Sequence, residues 1–236
     1  MTTLSIGTRN MLYSLSWYMS ARQTALRAAL SFRTPLSVTH QTDMRIHYSG
    51  YFLNLLAATE LFREKTTPSN DFNAQLYSRL VFDGFQNGQA NYSYIRELRN
   101  AVVHRGLDIT SYMHFDGNFP MILAVPKIQN RTRTETFVAF GKYLLHVIEK
   151  CESVVGPVML DWMEAAGVFE ATIDADVTAA EYRKAVEQLD DMPEPAKAMA
   201  LATEFKSEWA LAAHSSAIAK LREALAPCDA TKPSAS

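Results

Sequence analysis

The sequence predicts an all-α fold: an up-and-down four-helix bundle with an extra N-terminal helix, a small β-hairpin excursion and a C-terminal helical extension. Three observations predict it. Apolar residues recur at spacings of three and four through several long stretches. Hydrophobic residues make up 48% of the 236, while Gly and Pro number only 9 each, a balance that suits a packed helical globule and argues against a disordered chain. Residues 109–126 alone break the helical period, with short apolar runs on either side of Asp116-Gly117-Asn118.

The elements follow in order. A first helix is expected over about 8–32, ended near Pro35 because the residue before a proline avoids helical angles. Ser37 is placed to cap the next helix. Met44, Tyr48, Tyr51, Phe52, Leu55, Thr59 and Phe62 form one buried stripe along residues 38–65. Thr66 to Asn70 reads as a turn, with Asn70 or Asp71 capping a third helix that carries Phe72, Leu76, Leu80 and Phe85. After the Asn87-Gly88 break, a fourth helix is expected from about Asn91 to Arg105, with Gly106 at the position of a left-handed cap. The hairpin excursion occupies 109–126. A long helix is expected from about Arg131, with Phe137, Phe140, Leu144, Val147, Ile148, Cys151 and Val155 on its core face and a kink at Gly156-Pro157. Two further helices are expected near 178–190 and 194–225. The chain thus divides into a bundle domain (1–168), an acidic helical extension (169–226) and a flexible tail (227–236).

Composition narrows the function. Residues 1–150 carry 16 Lys and Arg against 10 Asp and Glu, while residues 151–195 carry 2 against 11. A basic front beside an acidic middle suits a polyanion-facing surface with a masking segment, and equally a solvated acidic helix pair. The two cysteines, Cys151 and Cys228, form no Cys-x-x-Cys pair, so a reduced, cytoplasmic setting is expected. No apolar run is long enough for a transmembrane helix, and the arginines at 9, 22 and 27 mark the N-terminal stretch as a mature helix and not a signal peptide. Phosphate loops, zincin motifs, nucleophile elbows and calcium loops are missing, and the six histidines are scattered, so no metal or cofactor is expected.

One segment carries chemistry: Ile95-Arg96-Glu97-Leu98-Arg99-Asn100-Ala101-Val102-Val103-His104-Arg105-Gly106. With Leu98 at the centre of the apolar face, Asn100 and His104 share a polar face with Arg96 and Glu97. Arg99 falls on the opposite flank, about 140° from His104, so one ideal helix does not bring the two together. A histidine at a helix C-terminus also has an ordinary electrostatic role there.

This segment resembles the HEPN family, named for nucleotide-binding domains of higher eukaryotes and prokaryotes. The family hallmark is Arg, four to six residues, then His, commonly with Asn, Asp or His after the Arg. Arg99, Asn100 and His104 match its four-residue form, and the helix order over 38–166 is compatible. The resemblance implies a homodimer with Arg and His of both subunits lining a cleft on the two-fold axis. It also implies a metal-independent endoribonuclease, of the kind found in toxin–antitoxin and phage-defence systems, working with RNA and with an antitoxin or regulatory protein. Its alternative is a catalytically inactive dimeric module that binds RNA, a nucleotide or a partner protein. In that frame His104 acts as general base or acid, Arg99 stabilises charge on the phosphate, Asn100 orients His104 or the substrate, and Arg96 and Arg105 contact the RNA backbone. Gly106 stands two residues after His104, where some toxin-type members carry a Tyr.

Overall fold

The computed structural model describes residues 3–63, 72–203 and 206–229. The described residues are mainly helical, with two small antiparallel hairpins among them. Helix α1 (Ile6–Leu30) and α2 (Val38–Glu60) pack along one another, and a 3-10 turn at Leu61–Arg63 extends α2. Ser37 caps α2 as expected: its side chain accepts the His40 N–H at 3.1 Å while the Ser37 N–H donates to His40 Nδ1, which satisfies two otherwise orphaned donors. The expected turn at 66–70 and the cap at Asn70 or Asp71 lie outside the described residues.

Helix α3 (Phe72–Arg79) is shorter than the periodicity predicts. Leu80 just beyond it is buried, but Phe85 is 43% exposed and lies outside any helix. Helix α4 (Gly88–Arg105) starts three residues earlier than expected because the Asn87 side chain accepts the Ala90 N–H and draws Gly88 into the first turn. Gly88 also lies against the Tyr77 carbonyl, where a Cβ would come within 1.8 Å. The helix ends at Gly106, in the left-handed conformation at φ 68°.

The expected hairpin forms. Strands β1 (Met113–Asp116) and β2 (Phe119–Ile122) pair antiparallel across Gly117-Asn118, with Gly117 at φ 62°. The stretch after it corrects the sequence reading. A helix from Arg131 does not form: β3 (Lys127–Gln129) and β4 (Thr136–Val138) make a second hairpin, and the helix begins only at Leu144. The cause is local. The Asn130 carboxamide oxygen accepts the N–H groups of Thr134 and Glu135, so a side chain takes up donors a helix would need. Phe140 is still a core residue, packed on Phe82 and Tyr94, but it reaches the core from the link between β4 and the helix.

Helix α5 (Leu144–Ala165) runs through Pro157. The remaining helices are α6 (Ala175–Glu187), α7 (Glu194–Ala202) and α8 (Ser207–Leu225), so the last expected helix is two. Helix α8 packs on α1 and α5, and its Leu221, Ala224 and Leu225 join the same core as α1–α5. The join is close: a Cβ on Gly156 would meet the Leu225 carbonyl at 2.1 Å. A buried ion pair holds this end of the molecule. Arg22 on α1 sits 3.0 Å from Glu152 on α5. Glu152 also accepts from the Tyr51 hydroxyl (2.8 Å) and the Cys228 N–H (2.7 Å). Burial, and then the Glu152 charge, push the Tyr51 hydroxyl well above its ordinary pKa.

Candidate functional site

Helix α4 supplies the site. Its buried side carries Tyr94, Ile95, Leu98 and Ala101, and the Tyr94 hydroxyl donates to the Val125 carbonyl at 2.8 Å. That seating fixes the rotation of the helix, so the residues of the Arg99–His104 segment have definite positions. Val102, next to Ala101 on the same helix, is only half-buried.

Two depressions flank the C-terminal half of α4. The first is an open cleft of about 670 Å³ between α4 and the β3–β4 loop. Asn100 and His104 line it one helical turn apart, with Arg96, Glu97 and Arg105 beside them and Arg131 on the opposite wall. His104 is exposed. The second is a groove of about 490 Å³ between α2 and α4, with apolar walls from Ile46, Leu53 and Val103 and with Arg99 at one side. Thus the structure gathers Asn100, His104, Arg96 and Arg105 in one place and sets Arg99 in another. Arg99 and His104 line different depressions in the folded chain, in keeping with their places on an ideal helix.

Charge in the cleft is organised by a residue that sequence reasoning passed over. Glu97 is 93% buried, with only 7% of its surface exposed. Arg96 Nε lies 3.7 Å from its carboxylate and Arg105 Nη2 3.9 Å, and the Asn100 amide donates to it at 3.3 Å. A buried carboxylate needs such partners, since an unpaired one would lose several kcal/mol of hydration. The spacing of Glu97 and Asn100, one turn apart, was the available signal. Arg105 is further tied to the β3–β4 hairpin, where its Nη1 donates to the Gln129 carbonyl at 2.8 Å. Its guanidinium therefore joins the helix end to the hairpin. Arg99 pairs with Glu60 at the end of α2, which couples α2 to α4.

Among the described residues no group of three or more His, Cys, Asp or Glu side chains is arranged to hold a metal ion. No described helix is long and apolar enough to cross a membrane. No family model matches the chain, and comparisons with curated proteins and with solved structures find no match.

Proposed function

We propose that the chain is a metal-independent endoribonuclease of HEPN type that works as a homodimer. In this reading α2 to α5 are the up-and-down bundle of that family, and α1 is the added N-terminal helix. One observation carries it: α4 holds Asn100 and His104 one turn apart on the wall of an open cleft that also contains guanidinium groups. His104 takes the proton of a ribose 2′-hydroxyl. The freed oxygen attacks the adjacent phosphorus, the 5′-oxygen leaves and collects a proton from a second acid, and the products carry a 2′,3′-cyclic phosphate and a 5′-hydroxyl. The nucleophile comes from the substrate, so the step calls for no metal-activated water. Asn100 orients the imidazole or the substrate.

Two copies complete the site. The groove with Ile46, Leu53 and Val103 offers apolar surface that is 59%, 42% and 51% exposed respectively. Pairing across it about a two-fold axis brings this groove of one copy against that of the other, so that Arg99 of both copies lies at the interface, available to phosphate charge there. The test is incubation of the pure protein with single-stranded RNA in EDTA, for wild type, His104→Ala and Arg99→Ala. Wild type is expected to cut, leaving cyclic phosphate ends. Each variant is expected to lose about 10² to 10⁴ in rate. Cleavage that survives His104→Ala, or a protein that stays monomeric at micromolar concentration, overturns this reading.

A second reading has its own support. The Arg99 guanidinium is held by Glu60 of the same chain, as suits a catalytically silent dimeric module that binds RNA, a nucleotide or a partner protein. Glu60→Gln separates the two: it frees Arg99 and raises cleavage if the site is active, and changes nothing if it is silent.

A further inference from the structure

We propose that the β3–β4 loop is a phosphate-binding arm, whose Arg131 and Arg133 grip the backbone of single-stranded RNA laid across the cleft beside His104. The proposal rests on the ribonuclease reading for what the arm serves, but it stands on separate residues. The hairpin carries Lys127, Arg131 and Arg133 against one carboxylate, Glu135. Other cations at the cleft are already committed: Arg96 to Glu97, and Arg105 to Glu97 and the Gln129 carbonyl. Arg131 and Arg133 make no ion pair with any described residue, and both are exposed. The nearest carboxylate in sequence, Glu135, is engaged in accepting from the Asn130 amide at 3.1 Å.

The loop is also built to hold its shape. Asn130 is its hub: its side-chain amide oxygen accepts from the Thr134 N–H (3.0 Å), the Glu135 N–H (3.3 Å) and the Thr132 hydroxyl (3.2 Å). Its amide donates to the Thr134 hydroxyl at 3.0 Å. The main chain closes the turn twice, from Asn130 N–H to the Glu135 carbonyl and from Arg133 N–H to the Asn130 carbonyl. Arg133 occupies the left-handed region at φ 58°, a conformation that a residue with a Cβ adopts only where its surroundings hold it there. Below the loop, buried Ile128 and the Arg105–Gln129 bond anchor the hairpin to the end of α4.

A rigid turn with the unpaired guanidinium of Arg131 on the wall of a polar cleft, and that of Arg133 two residues further along the same turn, suits repeated, sequence-independent phosphates. Planar guanidinium groups match phosphate oxygens in pairs. Backbone contacts of this kind position the strand without reading its bases. Single-stranded RNA is the favoured polymer, because a ribose held in a regular duplex cannot swing its 2′-hydroxyl into line with the leaving oxygen.

The experiment measures binding and cleavage separately. Binding is read by fluorescence anisotropy with a labelled, uncleavable 2′-O-methyl single strand over a salt series. The proteins are wild type, R131A/R133A and, as a remote control, Arg183→Ala on the exposed side of α6. Losing two phosphate contacts should weaken binding by about tenfold and lower the salt slope by about 1.4, at about 0.7 per contact for single strands. With cleavable RNA the double variant should raise KM and leave kcat nearly unchanged, since the loop holds ground state and transition state alike. Wild-type affinity and salt slope in R131A/R133A, beside an unaltered Arg183→Ala, overturn the arm even if His104-dependent cleavage is intact. Weakened binding confined to R131A/R133A, in a protein that cuts nothing, upholds the arm and overturns only the catalytic reading. A wild-type protein that binds no RNA overturns both.

Discussion

Exchanging Glu152 for Gln removes one charge and almost no volume from the best-buried ion pair among the described residues. Arg22 is fully buried and Glu152 is 3% exposed, so neither has water to fall back on. The carboxylate serves three groups at once: Arg22, the Tyr51 hydroxyl and the Cys228 N–H. A glutamine has only one acceptor oxygen. Its amide nitrogen can face the Tyr51 hydroxyl, which can turn to accept, but not the Cys228 N–H, which cannot. The Arg22 charge is then left with the Ala224 and Ala226 carbonyls alone, at 3.2 and 3.3 Å. Breaking a buried pair by removing one partner costs about 3–5 kcal/mol. For a protein of this size each kcal/mol moves the melting temperature by about 2–4 °C, so a fall of roughly 6–20 °C is expected. Arg22→Met should cost a similar amount, because it leaves the carboxylate buried without its partner. The double variant Arg22→Met with Glu152→Gln should recover a large part of the loss, since a neutral pair of similar volume has no charge to leave unpaired. Thermal unfolding followed by circular dichroism at pH 7 supplies the four melting temperatures. Singles within 2 °C of wild type, or a double variant showing the plain sum of the two losses, would refute the account of this pair as coupled and desolvated.

The same corner governs two further expectations. Burial and the neighbouring Glu152 charge push the Cys151 thiol far above its ordinary range, and burial followed by Glu152 raises that of Cys228. Thiolate is therefore scarce at pH 8, and neither cysteine should react with an aromatic disulfide reagent until denaturant is added; rapid native-state labelling of Cys151 would contradict this. A chain cut after residue 168 should not fold cleanly: it loses Leu221, Ala224 and Leu225 from the shared core and the carbonyls that satisfy Arg22 and Gln23. A sharp near-ultraviolet dichroism spectrum with wild-type stability from that truncation would disprove it.

The sequence by itself determined which stretches are mainly helical and some of their ends. Stripes at spacings of three and four mark the buried faces of α2, α4 and α5, because a periodic apolar face is a property of the chain before it packs. Ser37 and Gly106 mark helix boundaries because caps act on backbone groups within three or four residues. The Gly117 turn was visible for the same reason. Most of what lay beyond reach depended on contacts between distant residues. One miss was local: residues 131–143 carry two phenylalanines at a helical spacing, but the Asn130 side chain and the strand at 127–129 fold 127–138 into a hairpin. Glu97 looks like a solvated residue on the polar face, yet the closing of the β3–β4 hairpin over α4 buries it and makes it the charge hub of the cleft. The partners of Arg22 and Arg99 come from α5, α2 and the end of α8, tens to hundreds of residues away. Local periodicity sets where a side chain points on its own helix. Which surface it then meets is decided by tertiary packing, because desolvation and charge pairing depend on what arrives from the rest of the chain.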